Sequence, residues 1–398
     1  MSLSRQAETA RKDIVRLAHA GLDSADLRRA IAARLRRVVP AEAYGFATVD
    51  PATMLLTGSV RDNIPDPAVA LLTANEYGED DYIKFSELAR RAVPVGRLSA
   101  ATRGDLARSG RYRDVFIPYG WRDEMRAAFS TGHAGWGFIC LHRERSSPDF
   151  TAVEARFLAS LTGHVAAGLR KAVLIGPATP DGGAGPGPGI IEVTDELELI
   201  KLNQAAGHWL TDAGGTEPLA PDRLPHAVHA VVAQLRALEA HPRADAPAPR
   251  LRVRGRSGRW LTIHASRLLD RGHSAAIAVI IEPAPSADVA VLTGQGHGLS
   301  RRETEVCALT ARGLSTTDMA QHLSISANTV QDHLKSIFEK TGTRNRRELV
   351  SLIFFEEYAP RARQPPGAYG PLRNHRLSRK HGLSSGNFGR GGPAASGP

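Results

Sequence analysis

A chain of 398 residues exceeds one ordinary domain of about 100–200 residues, and a composition of 42% hydrophobic and 23% charged residues is that of a globular protein rather than a disordered or fibrous one. The formal charge of +10 is concentrated after Ala359, where Arg361, Arg363, Arg373, Arg376, Arg379, Lys380 and Arg390 occur with no Asp or Glu, so the global balance says little by itself about nucleic acid. No apolar run approaches the ~20 residues of a bilayer span and the N-terminus has no signal-like apolar core, while two cysteines, Cys140 and Cys307, are too few for a disulfide framework; a reducing cytoplasm is the expected setting, with no membrane contact.

The first block, residues 1–175, opens with helical periodicity. It continues with strand-like stretches at Tyr44–Val49 and Met54–Val60, a helix-like KFSELARRA, and a strand over 136–142, WGFICLH. An amphipathic helix from Thr151 to Lys171 closes it, with Phe157, Leu158, Leu161, Val165 and Leu169 at helical spacing. The pattern is α+β. GPATPDGGAGPGPG, residues 176–189, then has the composition of a linker.

A second α+β block covers 190–285. IIEVTDELELIKLN gives two short strands about a turn carrying Asp195, and a helix runs through Trp209. Strands at Leu251–Arg254 and Trp260–Leu268 meet at a turn bracketed by Gly255 and Gly258, and Ala275–Ile281 is the last strand. EPAPSAD, residues 282–288, looks like a second short linker.

The third block, 292–358, is expected to be all-helical. Ser300 with Glu303, and Ser315 with Asp318, have capping-box spacing, in which side chain and backbone at the helix start satisfy each other. Gly313 and Gly342 stand where a preceding helix needs a left-handed end. Four helices follow, near 301–312, 316–323, 327–340 and 344–357. Beyond them the basic tail, 359–398, has the composition of a disordered segment.

Helices two and three of this block are separated only by SIS, residues 324–326, with Ser326 placed to cap the third. Two short helices joined so tightly form a helix-turn-helix, whose second helix fits the major groove. On that helix Val330, Leu334, Ile337 and Thr341 fall within about 40° of one another and face inward. Asn328, Asp332, Lys335 and Glu339 point away, with Gln331 at the edge. Such side chains match base edges: Gln with adenine, Lys with guanine, Asp with the amino group of cytosine. Lys340, Arg344, Arg346 and Arg347 crowd the end of this helix, where phosphate contacts would fix orientation.

LSRRETEVCALTARGLSTTDMAQHLSISANTVQDHLKSIFEKTGTRNRRELV, residues 299–350, resembles the DNA-binding domain of LuxR-type (LuxR/FixJ-like) transcriptional regulators. The resemblance implies sequence-specific binding of double-stranded DNA. It assigns base reading to Gln331, Asp332 and Lys335, with Asn328, Thr329, Lys340, Arg344, Arg346 and Arg347 on the DNA backbone. It also implies a homodimer through the apolar last helix, and RNA polymerase as a further partner. Cys307 and Thr341 replace the usual leucines, and Asp332 and Glu339 make the reading face less basic than in many members. WGFICLHRERSSPDFTAVEARFLASLTGHVAAGLRKA resembles a GAF domain, and GIIEVTDELELIKLNQAAGHWL with SGRWLTIHASRLL resembles a PAS domain. These folds imply either a small-molecule effector or dimerisation, and both stay open.

Tyr44, Phe46, Phe116, Tyr119, Trp121 and Trp136 are candidates to line a cavity, with ordinary core as the competing assignment. His333 reads as a core histidine. His133 and His142 lack a third partner at ligand spacing, so neither a metal nor any other cofactor is assigned. No G-x-x-x-x-G-K-[ST] or G-x-S-x-G is present, and VLTGQGHGLS, residues 291–300, has Leu299 in place of the third glycine of a dinucleotide fingerprint. No enzyme and no catalytic residue is expected, and EDD, residues 79–81, reads as a solvated loop. The competing class is a ligand-binding or scaffolding protein whose helical block serves protein contact.

Overall fold

Two sheets and a helical domain follow one another in the computed structural model, which describes residues 5–132, 134–175, 186–214, 224–242, 246–268 and 276–358. The basic tail and residues 176–185 of the expected first linker lie outside the described residues, as does His133.

In the first block, α1 (Arg5–His19) and α2 (Ser24–Leu35) precede β1 (Ala43–Val49) and β2 (Leu56–Asp62). Then come α3 (Asp66–Gly78), α4 (Phe85–Leu88), β3 (Val95–Arg97), α5 (Leu98–Ala101) and α6 (Ile117–Tyr119), which a π-helical stretch, Tyr112–Phe116, precedes. A long hairpin, β4 (Trp121–Thr131) and β5 (Ala134–Glu144), leads to α7 (Ala152–Ala159) and α8 (Thr162–Ile175). The antiparallel sheet has the order β2-β1-β5-β4-β3. Both of its faces are covered, so β4 and β5 are buried nearly throughout instead of alternating with solvent. Phe46, Phe129, Ile139 and Leu141 belong with Leu161, Val165 and Leu169 on one side, whereas Ala128, Phe138 and Cys140 join Phe85 and Leu88 on the other.

Three expectations for this block change. The helix over 151–171 is two helices: the Ser160 and Thr162 hydroxyls donate to the Phe157 and Ala159 carbonyls at 2.7 and 2.9 Å, local bonds that compete with the helical ladder. KFSELARRA yields only Phe85–Leu88, a helix with no side-chain cap and Pro94 close behind. EDD is not a solvated loop throughout, because the Asp81 carboxylate is fully buried and accepts the Arg111 N–H at 2.7 Å.

The second block contains β6 (Gly189–Val193), β7 (Leu199–Leu202), α9 (Gln204–Ala213), α10 (His226–Ala240), β8 (Arg250–Arg254), β9 (Trp260–Arg267) and β10 (Ile277–Pro283). Its sheet order, β7-β6-β10-β9-β8, repeats that of the first. Gly189 permits close packing: a Cβ there would stand 2.8 Å from Ala206 Cα on α9. Helix α10 is not among the elements expected from the sequence, and it starts behind Pro225 without a side-chain cap.

The expected linker at 282–288 is not one. Glu282 and Pro283 finish β10, and Ser286 begins α11 (Ser286–Gly296). This segment is ordered because its apolar residues have somewhere to go: Val289 and Leu292 join the core containing Leu174 of α8, and Ala290 joins the core of the helical domain. That domain comprises α12 (Arg301–Ala311), α13 (Thr316–Leu323), α14 (Ala327–Thr341) and α15 (Arg346–Tyr358), close to the expected limits. Of the apolar residues on α15, Leu349 is buried and Val350 half-buried, while the side chains of Ile353, Phe354 and Phe355 lie outside the described residues.

Candidate nucleic-acid interface

Three local devices fix the start and end of α14. Both upstream capping boxes form, at Ser300 with Glu303 and at Ser315 with Asp318. The turn is made by Ser324 in the left-handed region (φ 53°), which lets the Ile325 N–H reach the Ala320 carbonyl at 3.0 Å. Ser326 Oγ then accepts from the Thr329 N–H at 3.0 Å, and Gly342 ends the helix at φ 70°.

Val330, Leu334 and Ile337 are buried against Val306, Leu309 and Met319. Gln331, Asp332, Lys335, Glu339 and Asn328 are exposed on the opposite side, and none is covered by the upstream blocks. Gln331 and Lys335 share a groove with Phe338, Gly342, Arg344 and Arg346. Asn328 and Asp332 lie outside that groove. Thr329 is half-buried, its hydroxyl 2.8 Å from Ser326 Oγ. His333 is half-buried.

The basic residues at the helix end divide into two kinds. Arg344 and Arg347 are exposed. Arg346 is half-buried and donates to the Leu314 carbonyl at 3.3 Å and to Thr316 Oγ1 at 2.6 Å, bracing α15 against the start of α13. Lys340 Nζ donates to both carboxylate oxygens of Glu303 at 2.8 and 2.6 Å, and Ser336 Oγ adds a third bond at 2.6 Å. Burial alone would push the Glu303 carboxyl up, yet bonds from Lys340, Ser336 and the Ser300 N–H outweigh it and hold the group at about 2. A capping residue of α12 is therefore also the anchor of α14. The cap is legible in the sequence and the anchor is not, because Glu303 and Lys340 are 37 residues apart.

The capped helix pair, the tight turn and the exposed polar ridge define a helix-turn-helix domain, the class whose second helix enters the major groove of duplex DNA. Residues 297–353 match the family described as bacterial regulatory proteins, luxR family, and this C-terminal domain belongs to it. The transcriptional regulatory protein DesR of Bacillus subtilis is 38% identical over 60 residues, 15% of this chain and 30% of DesR. The monoamine regulon transcriptional regulator of Klebsiella aerogenes is 43% identical over 53 residues, 13% of this chain and 23% of the relative. The matches thus span less than a third of either relative. Among solved structures, the VqsR LBD domain from Pseudomonas aeruginosa covers 41% of this chain and 94% of its own at 17% identity and a TM-score of 0.30. Escherichia coli SdiA covers 89% and 97% at 12% identity and a TM-score of 0.28. At such TM-scores the superpositions fix no common fold.

In the upstream blocks, Phe46, Phe116, Trp121 and Trp136 are fully or almost fully buried, Tyr44 is buried and Tyr119 half-buried. These aromatics are core. A small cavity of about 60 Å³ in the first block is lined instead by Tyr77, Phe85, Phe138, Arg126 and Cys140. No helix among the described residues is long and apolar enough to cross a membrane.

Proposed function

We propose that the protein is a sequence-specific DNA-binding transcriptional regulator that acts in the cytoplasm as a homodimer. The observation that carries this reading is α14 itself, which buries Val330, Leu334 and Ile337 while leaving Gln331, Asp332 and Lys335 open to solvent. Those three read base edges, and Asn328, Thr329, Arg344 and Arg347 meet phosphates. Lys340 and Arg346 add positive charge at the same end while holding the helices that present the others. Membership of the C-terminal domain in the luxR family supports this assignment. The two upstream blocks serve as GAF-like and PAS-like modules, bounded near 1–175 and 190–285, that sense a small molecule or pair subunits. Their shared sheet order supports treating them as related modules. RNA polymerase is the downstream partner.

Competition between a selected site and nonspecific duplex at several salt concentrations tests the proposal. Lys335→Ala is expected to lose roughly 1–3 kcal/mol of site discrimination, while Arg347→Ala weakens all duplexes alike and lowers the salt slope by about 1. Arg347 is the suitable phosphate probe, since replacing Arg346 would also remove its brace to Leu314 and Thr316. A protein that prefers no site at any salt concentration removes the regulator reading.

A further inference from the structure

The geometry points to a metal site in the first sheet, in which Glu124, Cys140 and His142 bind a borderline divalent transition ion of the zinc class. The hairpin register sets Glu124 opposite His142 and Arg126 opposite Cys140, so all four residues lie on one face. The donor atoms of Glu124, Cys140 and His142 lie within 4.8 Å of one another, and all three residues are buried. Tetrahedral coordination at ordinary zinc bond lengths separates donors by about 3.3–3.8 Å, so a modest closing of the three side chains completes the set.

His142 supplies the independent observation. It is fully buried, and neither Nδ1 nor Nε2 has a hydrogen-bond partner among the described residues. One ring face stacks on Trp121, with centroids 4.5 Å apart, and Phe116 meets the ring edge-on. Its apolar contacts are therefore complete while its polar ones are missing, a costly arrangement for an imidazole with no ligand. A neutral imidazole is the form that binds a metal.

Arg111 Nε at 2.9 Å and Arg126 Nε at 2.8 Å already lie against the Glu124 carboxylate. They do not exhaust it, since two carboxylate oxygens offer about four lone-pair sites. Their charge is also spread over Glu76 and Asp81, which pair with Arg126 and Arg111 respectively. Cys140 binds a metal as its thiolate, so as the sulfur–metal bond forms its proton leaves to solvent, one per ion bound. Three protein donors leave a fourth position for water or a very small ligand.

Metal binding in the first sheet is independent of DNA binding and is tested by titration of the chelator-treated full chain with Co²⁺, followed by the near-ultraviolet thiolate-to-cobalt charge-transfer band. One equivalent and a clear band are expected, retained in Cys307→Ser and lost in Cys140→Ser. His142→Gln should weaken uptake by more than about tenfold, since even residues that only orient metal ligands contribute that much. Zn²⁺ should raise the Tm of the parent chain and not of the His142→Gln protein. No band, a band insensitive to Cys140→Ser, or an unchanged Co²⁺ affinity in a folded His142→Gln protein overturns the assignment.

Discussion

Glu303 takes part in two structures at once. Its carboxylate caps α12 through the Ser300 N–H at 2.6 Å and grips α14 through Lys340 and Ser336. Because its folded value is about 2 against an ordinary 4.5, the ionised form contributes stability that is complete above about pH 4.5 and is lost as the pH falls through 2. Glu303→Gln should lower stability near neutrality by about 1.5–3 kcal/mol, the range for hydrogen bonds to charged groups. The gap from the parent should close between pH 4.5 and 2, read as urea midpoints followed by helical circular dichroism. A gap that stays constant down to pH 2 would show that the ion pair is energetically silent.

At the scale of elements, the helical domain was legible because its signals are local. Ser300, Ser315, Ser326, Gly313 and Gly342 each act within a few residues of their own position, and all five appear in their expected conformations. Ser326→Ala tests how much of α14 depends on such a signal. It should cost about 0.5–2 kcal/mol of domain stability, seen in thermal unfolding, with Gln331, Asp332 and Lys335 unaltered. Unchanged stability would mean that packing of Val330 and Leu334 alone holds the first turn. The strand β4 was not legible, for the opposite reason. Asp123, Glu124 and Arg126 make it read as surface, yet all three are buried, paired with Ser99, Phe150, Arg111 and Glu76. Those partners lie up to 50 residues away, so no local pattern announces the strand. The cluster of Glu124, Cys140 and His142 was hidden by the same distance. Cys140 and His142 alternate onto one face in sequence, but only the β4–β5 register brings Glu124 to them.

At the largest scale, the two sheets are tied together by a contact that neither block predicts alone. Asp50, directly after β1, accepts from the Arg252 backbone N–H at 2.6 Å, from Nε at 2.9 Å and from Nη2 at 2.8 Å, across 202 residues of sequence. Arg252 Nη1 also donates to the Asp288 carbonyl on α11 at 3.3 Å, and α11 directly precedes the helix-turn-helix domain in the chain. First sheet, second sheet and connecting helix thus meet at one guanidinium. With the carboxylate 1% and the guanidinium side chain 10% exposed, removing one partner strands a buried charge, whereas removing both does not. Asp50→Ala should therefore cost roughly 3–5 kcal/mol, and Arg252→Ala a comparable amount, whereas the double variant should cost clearly less than their sum. Denaturant unfolding of the four proteins closes the cycle, and limited proteolysis between the blocks should accelerate in either single variant. Strict additivity would mean that the two sheets are held together by their apolar contacts and that α11 is free to move without the first sheet.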